Sequence, residues 1–189
     1  MVVLMKTVSV KSSEWIISIG GFRRADEDNL SELLNRVTVA AKPELFQLMD
    51  ADRVAGLDHI HMAAVNAVKR IENNTAISKS LPVETLLTAS CQDQITTSFE
   101  LIGVRTVTNN LALIIFAKSR EASKKAFKRV ESTLKNADDN VLELTPDKFS
   151  ELKRLYKISD LEITSVNSDQ TTALTRLLIE RGALLSFGH

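Results

Sequence analysis

Apolar and polar positions repeat with two periods along the chain, and the changes of period mark its elements. Trp15, Ile17 and Ile19 occupy alternate positions around Ile16 and Ser18, which predicts a half-buried strand that stops at Gly20-Gly21. Arg23 to Asn29 reads as a charged loop. Leu30, Leu33, Leu34, Val37 and Ala41 recur at helical spacing and predict an amphipathic helix over 29–42, ended by Pro43. Leu45 to Met49 follows as a short buried strand, and Asp50 to Gly56 as a turn with a helix cap at Asp52 or Asp58. The next helix, 57–73, turns Leu57, Ile60, Ala64, Val68 and Ile71 inward. Lys69 and Arg70 near its end complement the helix dipole, and Asn73-Asn74 breaks it.

The second half follows the same logic. Ser78 and Ser80 are placed to cap a helix whose first turn accepts Pro82, with Val83, Leu86, Leu87 and Ser90 on one face. A shorter helix carries Cys91, Ile95, Phe99 and Ile102, with Gly103 as a left-handed stop. Leu111 to Ala117 is a continuous apolar run, as expected of a central strand covered on both faces. The helix 119–135 buries Ala122, Ala126, Phe127, Val130 and Leu134. Val141 to Leu144 reads as a short strand, and Thr145-Pro146 opens a helix to Tyr156 with Phe149, Leu152 and Leu155 inward. Leu161 to Val166 alternates like an edge strand. The last helix, 168–185, carries Leu174, Leu177, Leu178 and Leu185. Strands and helices intermix, so the fold expected is one α/β domain, α+β-like, with a small mixed or antiparallel sheet and about six to eight helices.

The string from Ile77 to Ile95, Ile-Ser-x-Ser-Leu-Pro-Val-Glu-x-Leu-Leu-x-x-Ser-x-Gln-x-Gln-Ile, resembles the signature of the small PRPK-binding (TPRKB-like) subunits of the KEOPS complex, archaeal type. Asp50-Ala51-Asp52-Arg53-Val54-Ala55-Gly56, then His59 with Ala63, Ala64 and Ala67, is similar to the segment that precedes it. The tail Gly182-Ala183-Leu184-Leu185 fits too. The resemblance is clear from Phe46 to Ile102 and covers nearly the whole chain in outline. Where the family usually has Gly-Gln-Arg-Gln, this chain has Cys91-Gln92-Asp93-Gln94, so an acid replaces a base.

The resemblance implies a subunit that performs no chemistry. Such a subunit docks through its C-terminal helical region on the N-terminal lobe of the complex's small kinase/ATPase subunit, and helps recruit tRNA by its single-stranded 3′ end. The complex makes threonylcarbamoyladenosine next to the anticodon of tRNAs that read codons beginning with A. On this chain the partner face falls on Leu177, Ile179 and Ala183, and the RNA face near Lys69, Arg70, Lys79, Gln92 and Gln94.

Composition narrows the alternatives. With 189 residues, 44% hydrophobic and 25% charged, the chain is long enough to bury a core without disulfides or metals. Lys+Arg and Asp+Glu balance at 24 each, so polyanion binding must come from local clustering. One such cluster is 118–135, with seven cations against Glu121 and Glu131, read either as a solvated face or as a phosphate-facing surface. A single cysteine suits a reducing interior, and no apolar run approaches a membrane span. The start, Met1 to Lys6, is too short for a signal peptide's apolar core, which points to the cytoplasm.

The side chains that most often do chemistry do not converge. His59 and His61 diverge on a helix and make no metal pair, and His61 shares the inward stripe with Leu57 and Ala64, as a structural histidine would. His189 is the last residue. Cys91 has no neighbouring histidine and reads as a small buried hydrophobe. Gly20-Gly21 lacks the partners of a phosphate loop, and the paired acids Asp50/Asp52 and Asp138/Asp139 suit turns and caps. No metal, cofactor or catalytic residue is therefore expected. The rival classes are an enzyme, recognisable by a polar pocket with a strongly shifted group, and a small-molecule-binding regulatory domain with an enclosed apolar cavity. Gln92 and Gln94 either hydrogen-bond base edges or cap the short helix. Ile179 and Ala183 project away from the main leucine stripe, so they meet either a partner helix or the protein's own strand 161–166 or N-terminus.

Overall fold

The longest apolar run lies at the centre of the sheet. β4 (Asn110–Ala117) pairs antiparallel with β2 (Ile16–Arg23) on one side and β3 (Leu45–Asp50) on the other. β1 (Lys6–Ser9) extends the far edge of β2, giving the order β1-β2-β4-β3. The computed structural model describes residues 6–25 and 29–185; Met1 to Met5, residues 26–28 of the charged loop and His189 lie outside the described residues. Among the described residues eight α-helices accompany this antiparallel sheet, an α+β arrangement.

Because β4 is apolar at every position from Leu111 to Ala117, both faces of the sheet demand cover. Leu111, Leu113 and Ile115 face α1 (Leu30–Ala41) and α5 (Arg120–Leu134), where Leu33, Val37, Phe127 and Val130 meet them. Ala112, Ile114 and Phe116 face the larger layer. That layer holds α2 (Gly56–Glu72), α3 (Leu81–Ser90), α4 (Ile95–Ile102), α6 (Pro146–Leu155), α7 (Asp160–Ser165) and α8 (Gln170–Leu184).

Four expectations are corrected. β2 runs through Gly20-Gly21 instead of stopping there. A Cβ on Gly20 would lie 2.5 Å from the Phe127 ring, and one on Gly21 2.6 Å from the Asp138 carbonyl, so these glycines admit α5 and the 138–141 segment onto the strand. The expected strand at 141–144 is a 3-10 turn over Asp139–Leu142, because the Asp138 side chain accepts from the Asn140 amide and curls the chain. The alternating stretch 161–166 is α7. The Ser159 hydroxyl accepts from the Glu162 amide and the Glu162 carboxylate accepts from the Ser159 amide, a capping box that fixes a helix whatever the short-range alternation.

The fourth concerns the joint after α3. Cys91, at φ 55°, is the left-handed stop, while Gly103 at φ −67° is extended. Gly103 is glycine for room: a Cβ there would lie 2.4 Å from the Phe99 carbonyl. Stopping at Cys91 resets the helical phase, so α4 turns Ser98 and Ile102 inward and leaves Ile95 and Phe99 exposed.

Candidate functional site

α3 is built around a carboxylate that its sequence leaves no room to solvate. Val83, Leu86 and Leu87 surround Glu84, which is fully buried. Its Oε2 accepts from the Ser78 amide at 2.8 Å, and its Oε1 accepts from Arg70 Nη1 at 3.3 Å. Arg70, also buried, donates from Nη1 to Thr88 Oγ1 at 3.0 Å and from Nη2 to the carbonyls of Gly182 and, at 3.1 Å, Ala183. One guanidinium thus joins α2, α3 and the last turn of α8, whose carbonyls have no helical partner of their own. Its neighbour Gly182 is as constrained, since a Cβ there would meet the Thr88 carbonyl at 2.4 Å. The expected RNA role of Arg70 thus meets a buried side chain whose Nη1 and Nη2 both donate inside the protein. An acid inside an apolar helix, 14 residues after Arg70, is the sequence signal for this pair.

The other expected RNA contacts divide between the two ends of α3. Lys69, in the last turn of α2, and Lys79, in the 73–80 loop that leads into α3, are exposed before its start. Gln92 and Gln94 lie past its end, about 15 Å away along the ten-residue helix. The half-buried Gln92 donates to the Ser90 carbonyl at 3.4 Å, while Gln94 is exposed at the N-cap position of α4, where its side chain makes no cap bond. A hollow of about 610 Å³ opens beside them, lined by Gln92, Asp93, Thr97, Tyr156, Lys157 and Arg181 among others. Cys91 on its wall donates to the Leu178 carbonyl at 3.3 Å, and burial pushes its thiol up to about 12, so it is protonated at neutral pH and no nucleophile.

The Asp50-to-Gly56 motif is structural. Asp50 accepts from Thr108 Oγ1 at 3.0 Å and Arg105 Nη2 at 3.3 Å, Asn110 holds both oxygens of Asp52, and Arg53 donates to the Leu101 carbonyl at 2.9 Å. His59, rather than His61, is the fully buried histidine. Its Nδ1 accepts from the Ala55 amide at 3.1 Å, and burial, with Lys148 nearby, holds it down at about 4. Lys148 itself is lowered to about 8 by burial and donates to the carbonyls of Val141 and Glu143. It fixes the 141–143 segment as one wall of an open groove.

That groove, of about 950 Å³, runs between the start of α2, residues 142–144 and the outer side of α8. Leu57, Leu142, Leu144 and Ile179 supply apolar walls, with Asp58, Glu143 and Arg176 among the polar ones. Of the three expected partner-facing residues, Ile179 lines the groove, Leu177 packs against the protein's own core, and Ala183 is half-buried beside the Arg70 clamp. No helix among the described residues is long and apolar enough to cross a membrane.

Comparison with known sequences gives the family. The model of the kinase binding protein CGI-121 family matches residues 25–186, and the chain belongs to that family. The regulatory protein Cgi121 of Methanocaldococcus jannaschii is 30% identical over 113 residues, which cover 60% of this chain and 70% of that protein.

Two outcomes follow from the buried charges. Arg70→Ala strands Glu84 without its cation and costs about 3–5 kcal/mol, read as a lowered urea midpoint. A midpoint within experimental error of wild type would refute the clamp. His59 has a folded value of about 4, below its ordinary 6.5. Its contribution, about 3 kcal/mol, is complete above pH 6.5 and drains away as pH falls towards 4. Glu162, held at about 2 by the Ser159 amide and hydroxyl, acts in a lower window that begins near 4.5. A pH series of unfolding free energies should therefore fall between pH 6.5 and 4.5 in wild type, and fall less steeply there in His59→Asn, which leaves only the share of His61, also lowered by burial.

Proposed function

We propose that this protein is a non-catalytic adaptor subunit of the KEOPS tRNA threonylcarbamoyladenosine-modification complex. It binds the complex's kinase/ATPase subunit and helps recruit the 3′ end of the tRNA. The match to a kinase-binding family over 25–186 carries the proposal, and the half-open outer side of α8 supports it. Ile179 stands on the wall of a groove rather than in the core, where an apolar side chain of a partner would cover it. Leu177 and Ala183 then act from behind, by setting where α8 lies. For RNA, the candidates that remain accessible are Lys69, Lys79, Gln92 and Gln94. A chain of zero net charge binds RNA weakly alone and gains from being tethered in a complex, where its RNA contact becomes effectively intramolecular.

Ile179→Arg places a charge in the groove without touching the core. It should weaken association with the kinase/ATPase subunit by about 2 kcal/mol or more, about 30-fold, while the unfolding midpoint stays at the wild-type value. Co-elution with that subunit on size exclusion, unchanged by the substitution, would discard the α8 assignment. Lys79→Glu should lower tRNA affinity and make its salt dependence shallower by about 1 to 2 in the log–log slope. A filter-binding slope equal to wild type would remove Lys79 from the RNA face.

A further inference from the structure

α5 lies on the face of the sheet turned away from α3, within the most basic segment of the chain. Residues 118–135 hold seven cations against two acids in a chain that is neutral overall. Structural duties account for part of them. Lys118 lies 3.8 Å from the centre of the Trp15 ring and pairs with Glu14. Arg120 donates to the Ser9 hydroxyl at 3.0 Å. Arg129 satisfies the last carbonyls of α1, donating to those of Ala40 and Lys42 at 2.7 Å each. Lys125 pairs with Glu121 at 2.6 Å.

Lys124, Lys128 and Lys135 remain, and none of them has an ion-pair partner among the described residues. Lys124 and Lys128 are four residues apart on the exposed side, where like charges destabilise a helix. Arg129 also holds the backbone of Lys42, another exposed lysine, against the same helix, which widens the basic strip towards α1.

We infer that the outer ridge of α5, built on Lys124, Lys128 and Lys135, is a second RNA-contact surface that grips backbone phosphates of the tRNA body. The inference rests on the RNA-binding reading above and adds a contact on the opposite face of the sheet. The chemistry of the ridge selects its occupant. Its exposed positions are six charged side chains and Ser132, without an apolar side chain. A membrane surface needs an apolar face to insert, and α5 has spent its own on the sheet. A protein partner needs an apolar centre to its interface, which this strip lacks. Flexible lysines 5–6 Å apart at their Cβ atoms suit repeated phosphates read without base identity.

The test is a salt titration of the chain with intact tRNA and with tRNA trimmed of its unpaired 3′ nucleotides. Lys124→Glu/Lys128→Glu should weaken both about tenfold and make the log–log salt slope shallower by about 2. Lys79→Glu should weaken only the intact tRNA. Lys124→Gln/Lys128→Gln, which relieves the repulsion, should fold at least as stably as wild type and show a smaller loss of the same kind. If wild type binds tRNA while both double variants keep its affinity and slope, the ridge is a solvated face and the inference falls alone. If wild type binds neither RNA, free or in complex with the kinase/ATPase subunit, the RNA reading fails and takes the ridge with it. If the double variants lose only binding to phosphatidylserine vesicles, the ridge is a membrane contact and the inference is overturned.

Discussion

A guanidinium almost closed off from water has to be satisfied by the protein, and Arg70, reaching out from α2, is satisfied by two other helices at once. Its partners are a carboxylate on α3, a hydroxyl on α3 and two carbonyls at the end of α8. Burying such a pair is expensive, and replacing it by apolar side chains is often neutral for stability. What the pair supplies here is position. Hydrophobic contact between α2, α3 and α8 is tolerant of sliding and rotation, whereas a planar fork aimed at named oxygens is not. Gly182 enforces the same position from the other side, because any larger residue would push α8 off the Thr88 carbonyl. The outward side of α8, including Ile179, is where it is because its inward side is locked.

The sheet separates the surfaces in the same way. Since β4 is apolar on both faces, two helical layers form with little freedom to communicate except through the strands. One layer holds α3 and α8 with the groove and the glutamine joint; the other holds α5 with its lysines. The few polar atoms between α5 and the sheet are paired off, as in the 2.6 Å bond between Ser18 and Ser123. α5 and α8 therefore rest on different cores, on opposite faces of the sheet.

Long, strongly periodic elements were legible from the sequence. α1, α2, α5 and α6 fall within two residues of where their apolar spacing puts them, and the central strand follows from its unbroken apolar run. Short elements were misread wherever side-chain hydrogen bonds outvoted periodicity. Six residues from Leu161 fit a strand pattern and one and a half helical turns equally well, and the Ser159–Glu162 capping box decides between them. The site was less legible, for a physical reason. Whether an arginine near a helix end meets solvent or a buried acid depends on a residue far along the chain, and no local pattern at Arg70 reports Glu84. Likewise, which of His59 and His61 turns inward depends on helix phase, which the cap at Ala55 sets within one residue.

Burial fixes the charge state of several titratable side chains. Chemistry at neutral pH wants groups poised near 7. Cys91 is pushed up to about 12 and His59 down to about 4, both mainly by burial, so each is locked in its neutral form across the physiological range. Lys148, at about 8, stays mostly charged at neutral pH, yet its proton-bearing nitrogen is aimed at two backbone carbonyls rather than into the groove. Each of these groups fixes a wall. The Cys91 thiol holds α8 to the end of α3 through the Leu178 carbonyl, His59 ties off the first turn of α2, and Lys148 sets the 141–143 segment opposite α8. Burial has turned side chains that elsewhere serve as nucleophile, base and acid into fixed braces of the walls around the groove and the end of α3.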